Sequence, residues 1–246
     1  MAENFITPQG RRIAYHLSDG TGPAVVFLGG FKSDMAGTKA VFLEDWARKQ
    51  GRAFLRFDYS GHGESGGVFT EGAIGDWLED AQAAIGLVAG KVILVGSSMG
   101  GWISLLLARS LPDRVAGLVT IAAAPDFTED SMWANADANQ REALMTTGQI
   151  ALPSEYGEPY IITRRLIEDG RDHLVLRDAL HLPFPARFLQ GTADKDVDMA
   201  VALRLLDHAQ GPDMRLTLVD GADHRFSDDD CLALIAASIA DVDSRL

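Results

Sequence analysis

The sequence predicts an α/β protein with an open, mainly parallel sheet and helices on both faces. Three observations lead there. Short apolar runs rich in β-branched residues, such as Ala24-Val25-Val26-Phe27-Leu28 and Val92-Ile93-Leu94-Val95, alternate with longer segments of helical periodicity. These runs are apolar throughout, as in strands covered on both faces. The residues of chemical interest follow directly after such runs, at the strand ends where open α/β sheets bind ligands.

Taken in order, Phe5–Thr7 and Arg12–Leu17 read as a hairpin at one sheet edge, joined at Pro8-Gln9-Gly10. The strand 24–28 ends in Gly29-Gly30-Phe31. A helix over about 37–49 carries Phe42, Leu43 and Trp46 on one face, and the strand Ala53–Phe57 follows. After a helix from about 74 to 88 come the strand 92–95, the turn Gly96-Ser97-Ser98-Met99-Gly100, and a helix with Trp102, Leu105 and Leu106 on its apolar side. Val115–Ile121 is a further strand. The stretch from Pro125 to about Pro185 breaks the alternation. It has helical patterns near 139–145 and 160–168, no convincing strand, and prolines at 153, 159, 183 and 185. That length is too great for a loop, so an inserted helical cap is expected. Alternation resumes with strands 186–190 and 214–219 and helices 199–209 and 229–242. All 246 residues read as one domain carrying this cap.

Composition limits the function. A net charge of −13 argues against nucleic acid and against an anionic membrane surface as partners. The single cysteine, Cys231, sits in an apolar helical pattern and reads as a core residue, with no intramolecular disulfide possible. No apolar run reaches transmembrane length, and the first residues lack a signal-peptide core, so a cytoplasmic protein without stable membrane insertion is expected. Oligomeric state is not legible. No cluster of metal ligands appears, and Gly61-His62-Gly63 lacks dinucleotide-fingerprint spacing, so neither a metal nor a cofactor is expected.

The G-x-S-x-G at 96–100 is weak by itself. Between a buried strand and a helix it becomes a turn that presents Ser98 as a nucleophile, with glycines removing side chains that would clash. Asp194 follows the strand 186–190, and His224 follows the strand 214–219. Neutral imidazole can take the serine proton, and a carboxylate fixes its tautomer and stabilises the imidazolium. The developing oxyanion needs aimed donors, and the backbone N–H groups of Phe31 and Met99 are the candidates. Asp196 and Asp198 compete with Asp194, and Asp126 is a more distant rival. His62 competes with His224, although loop packing explains it too. Met132, Trp133, Tyr156 and Tyr160 are candidates for an apolar acyl pocket, and core packing accounts for them equally well.

The order Ser, Asp, His, together with Gly30–Ala40, Arg56–Gly61, Leu94–Trp102, Leu152–Tyr156 and Asp223-His224-Arg225, resembles the α/β-hydrolase-fold serine hydrolases. Within them the chain is similar to the mitochondrial palmitoyl-protein thioesterase and acyl-glucuronide esterase group. Gly29 departs from the His that many relatives carry there. The resemblance implies the α/β-hydrolase fold and a triad at Ser98, Asp194 and His224 cleaving esters or thioesters of small-molecule or acylated substrates. A peptidase or carbon–carbon hydrolase using the same triad, or a non-catalytic binding protein of the same fold, are the rival readings.

Overall fold

The computed structural model describes residues 2–152 and 159–246. Its elements run β1 (Glu3–Ile6), β2 (Arg12–Ser18), β3 (Thr21–Leu28), α1 (Thr38–Lys49), β4 (Arg52–Phe57), α2 (Ile74–Ile85), β5 (Val92–Ser97), α3 (Met99–Ser110) and β6 (Val115–Ile121). They continue with α4 (Ala138–Thr147), β7 (Gln149–Leu152), β8 (Tyr160–Thr163), α5 (Arg164–Asp172) and β9 (Leu180–His181). The chain closes with β10 (Ala186–Gly191), α6 (Met199–His208), β11 (Ala209–Gln210), β12 (Met214–Val219) and α7 (Asp229–Asp243).

Eight strands form the main sheet in the order β1-β2-β4-β3-β5-β6-β10-β12. The β1–β2 and β2–β4 pairs are antiparallel and the remainder parallel, which puts the expected hairpin at one edge. The continuously apolar strands follow from double coverage. In β3, Val26 and Leu28 pack with α2 and α3 on one face, while Val25 and Phe27 meet α1 and α7 on the other. β5 repeats the division with Leu94 against Ile93 and Val95. Every residue of β5, β6 and β10 is buried. Cys231 lies in the second of these layers, 2 % exposed, and burial pushes its thiol up to about 12. No helix among the described residues is long and apolar enough to cross a membrane.

The region between residues 125 and 185 holds helices as expected, and also a feature the sequence reading misses. β7 and β8 form an antiparallel hairpin with Gln149 opposite Thr163 and Leu152 opposite Tyr160. Each strand is four residues long, so too little alternation exists to reveal it, and β8 runs straight into α5. The return of this region to the sheet is fixed by Asp126. Its fully buried carboxylate accepts the N–H groups of Val175 (2.8 Å) and Leu176 (3.0 Å) and pairs with Arg177 (3.1 Å). Burial raises the Asp126 pKa, and these contacts only partly oppose that. Asp126 is therefore occupied in holding residues 175–177 and lies outside the hydrogen-bonded group described next.

Candidate active site

Ser98 occupies the junction of β5 and α3 with φ 54° and ψ −117°, a positive-φ conformation that a non-glycine residue adopts only under constraint. The constraint is local packing. A Cβ on Gly96 would lie 2.3 Å from the Gly100 carbonyl oxygen, and a Cβ on Gly100 would lie 2.0 Å from that of Leu28. Only glycine permits so tight a turn and so close an approach of α3 to the end of β3. The turn leaves Ser98 half-buried, facing a cavity of about 980 Å³.

Three segments far apart in sequence meet there. The Ser98 hydroxyl lies 3.1 Å from Nε2 of His224, whose Nδ1 lies 2.9 Å from Oδ2 of Asp194. The arrangement is satisfied when Nδ1–H donates to the carboxylate and Nε2 accepts from Ser98. The Asp194 side chain is fully buried, and its Oδ1 accepts the N–H groups of Asp196 and Val197, each at 2.9 Å. Burial works to raise its pKa, but the His224 contact and these backbone donors outweigh it and hold the carboxyl below its ordinary range. The rivals have other occupations. Asp198 caps α6 by accepting the Ala200 N–H at 2.7 Å, and Asp196 places its backbone N–H on Asp194. Asp194, Asp196 and His224 do bring ligand-type atoms within 4.8 Å of one another. Two of those atoms already hydrogen-bond each other, a geometry suited to moving a proton.

Gln190 joins this group, and the sequence does not single it out, since it reads there as an ordinary strand residue. Its Nε2 donates to Oδ2 of Asp194 at 3.0 Å and to the Val197 carbonyl at 3.1 Å, from a fully buried position. A Gln190→Leu substitution removes a donor from the Asp194 carboxylate and strands a buried carbonyl. The expected result is a fall in kcat of about tenfold with a loss of roughly 1–3 kcal/mol in stability, read from steady-state kinetics and a thermal melt.

Met99 opens α3, so its N–H has no intrahelical acceptor, and Phe31 follows Gly30 at the end of β3. Neither N–H has a hydrogen-bond acceptor among the described residues. A Cβ on Gly30 would sit 3.4 Å from Cβ of Ser98, so the two segments abut.

Of the expected pocket residues, Met132 and Tyr160 line the cavity. Trp133 does not. The guanidinium groups of Arg171 (4.7 Å) and Arg141 (5.1 Å) each lie over its ring, cation–π contacts that occupy the indole away from the cavity lining. Tyr156 lies outside the described residues. Phe31 and Phe127 complete the apolar wall, their ring centroids 5.7 Å apart and edge-to-face. The polar part of the lining includes Lys39, Lys195 and Arg225 together with Asp34, Asp130, Asp196 and Asp198. Lys39 donates to the Arg225 carbonyl, tying α1 to the loop that bears His224, and burial lowers its pKa to about 8.

His62, the other strand-end histidine, is 4 % exposed and does not join the Ser98 group. It packs edge-to-face against Tyr59, Phe69 and Trp77, and burial lowers its pKa to about 4.

Known proteins share this architecture. A family model described as serine aminopeptidase S33 matches residues 21–165. The mitochondrial palmitoyl-protein thioesterase ABHD10 of Rattus norvegicus is 34 % identical over 242 residues, covering 97 % of this chain and 81 % of that protein. A putative hydrolase from Agrobacterium vitis S4 superposes with a TM-score of 0.94 at 41 % identity, with 98 % of each chain covered. The mouse α/β hydrolase domain-containing protein 10 superposes with a TM-score of 0.91 at 30 % identity, covering 98 % of this chain and 97 % of its own. With an eight-stranded sheet, a glycine-flanked serine turn at 96–100 and similarity running nearly end to end, the chain belongs to the α/β-hydrolase family of serine hydrolases.

Proposed function

We propose that the chain hydrolyses carboxylic esters or thioesters through an acyl-enzyme on Ser98. The observation that carries this reading is the unbroken run of hydrogen bonds from Asp194 through His224 to Ser98, at 2.9 and 3.1 Å. Ser98 Oγ attacks the acyl carbonyl while His224 Nε2 takes its proton, and the buried Asp194 carboxylate stabilises the imidazolium. The oxyanion is held by the Phe31 and Met99 N–H groups. Collapse expels the alcohol or thiol, which takes the proton from His224. Water, deprotonated by the same imidazole, then attacks the acyl-enzyme and releases the acid.

The acyl group lies along Phe31, Phe127, Met132 and Tyr160, and the leaving group along the polar wall at Lys39, Lys195 and Arg225. The thioesterase name of the ABHD10 relatives supports a thioester among the substrates. The aminopeptidase name of the family model supplies the rival leaving group.

A fluorophosphonate probe followed by peptide mapping tests the nucleophile. The expected adduct is on Ser98 alone, and a protein that leaves Ser98 unmodified is not this enzyme. A panel of p-nitrophenyl esters, acyl thioesters and aminoacyl anilides tests the leaving group. Esters and thioesters are expected to turn over, and activity confined to the anilides overturns the assignment in favour of a peptidase.

A further inference from the structure

The segment carrying Phe31 is held in an unusual conformation. Lys32 has φ 57°, left-handed for a residue with a full side chain. Its N–H donates to Nε2 of His62 at 3.3 Å. His62 can accept because its other nitrogen, Nδ1, faces the Ser60 carbonyl at 3.2 Å and carries the proton toward it. The Ser60 carbonyl also accepts the Trp77 indole N–H at 3.1 Å, which fixes the base of this arrangement. Burial keeps the imidazole neutral, so its lone pair remains available. One peptide earlier, the Gly30 carbonyl accepts both the Ser33 N–H (3.2 Å) and the Ser33 hydroxyl (2.8 Å). In a trans peptide the C=O and N–H point in opposite directions, so holding the Gly30 oxygen on Ser33 sets the Phe31 N–H on the other side.

We propose that His62 and Ser33 are positioning residues for the oxyanion donor: Ser33 orients the peptide that contains the Phe31 N–H, and His62 locks the peptide that follows it. The peptides on either side of Phe31 are thereby each held by a side chain. Neither side chain hydrogen-bonds to Ser98, His224 or Asp194, although Ser33 lines the cavity. The sequence shows a histidine after a strand, which invites a catalytic reading, whereas here it acts on backbone through its unprotonated nitrogen. The inference rests on Phe31 N–H serving as an oxyanion donor in the reaction proposed above.

The effect belongs in transition-state stabilisation, not in substrate affinity. His62→Phe keeps the aromatic packing and removes the acceptor. It is expected to lower kcat by about 10- to 100-fold with KM within about threefold, and to weaken a trifluoromethyl ketone transition-state analogue by a similar factor. His62→Gln restores an acceptor and recovers part of the loss. Ser33→Ala, at an exposed position, keeps the backbone bond to Gly30 and loses the hydroxyl, for an expected fall in kcat of about 3- to 10-fold. A folded His62→Phe protein with wild-type kcat and ketone affinity overturns the proposal, and so does a loss confined to KM. If His62→Phe does not fold, unchanged kcat in Ser33→Ala overturns it. Fluorophosphonate labelling of Ser98 in each variant separates this failure from failure of the parent reading. Labelled Ser98 with unaltered kcat refutes only the positioning role, and unlabelled Ser98 in the wild-type chain refutes the serine mechanism itself.

Discussion

Ser98→Ala lowers kcat on p-nitrophenyl esters and acyl thioesters by at least about 10⁴-fold while the protein still melts as the parent does. In the mechanism proposed above, the hydroxyl is the one group that bonds covalently to the acyl carbon, and His224 has nothing to deprotonate once it is gone. Residual turnover comes from the oxyanion donors and the cavity acting on water. Stability is spared because the substitution leaves in place the positive φ that the glycines at 96 and 100 impose on this position. Ser98→Gly is the informative partner. It is equally inactive but tolerates φ 54°, so it is expected to be more stable, by about 1 kcal/mol or more. Full activity in either variant would remove Ser98 from the mechanism.

Gly100→Ala produces the second large effect, on stability and activity together. The added methyl would lie 2.0 Å from the Leu28 carbonyl oxygen and 2.6 Å from that of Gly29, both backbone atoms of a central strand and its exit. Neither can move without disturbing the β3–β5 pairing, where Leu28 stands opposite Gly96. The expected cost is about 3 kcal/mol or more, which in a chain of this length lowers Tm by roughly 6–12 °C. The shift also separates Gly30 from Ser98, so fluorophosphonate labelling slows sharply even in the folded fraction. A melting temperature within a degree of wild type would show that the turn has room the structure denies it.

Much of this arrangement is legible in the sequence because its parts are local. A buried strand, a glycine-flanked serine and a helix are contiguous between residues 92 and 110. The carboxylate and imidazole each follow their own strand, and a parallel sheet brings all strand ends to one side. Choosing Asp194 over Asp196 and Asp198 needs more than position. It depends on a loop in which Asp194 accepts two backbone N–H groups and Asp198 starts α6.

What escapes sequence reading depends on contacts between distant segments. Gln190 looks like any strand residue until its amide is seen against Asp194. Phe127 lines the cavity only because the chain turns at Asp126, with φ 59°, and brings the ring against Phe31 and Trp102. Trp133 carries the composition of a pocket residue, yet two arginines from α4 and α5 capture its ring. The hairpin of β7 and β8 is hidden by its shortness, since four residues cannot establish a period.

Asp126 has a consequence for how such a molecule can diversify. The chain departs from the sheet beside this carboxylate and comes back to it at Val175 and Leu176, so both ends of the excursion meet at one residue, while Asp169, Arg165 and His173 tie its middle to Gly75, Asp76 and Trp102. Because that closure is made at the exit of β6, changes of length between residues 134 and 159, away from the ties to α2 and α3, are expected to leave the path of β6 and β10 in place. Appetite for new substrates can thus be remodelled as a detachable cassette while the proton-relay machinery stays untouched.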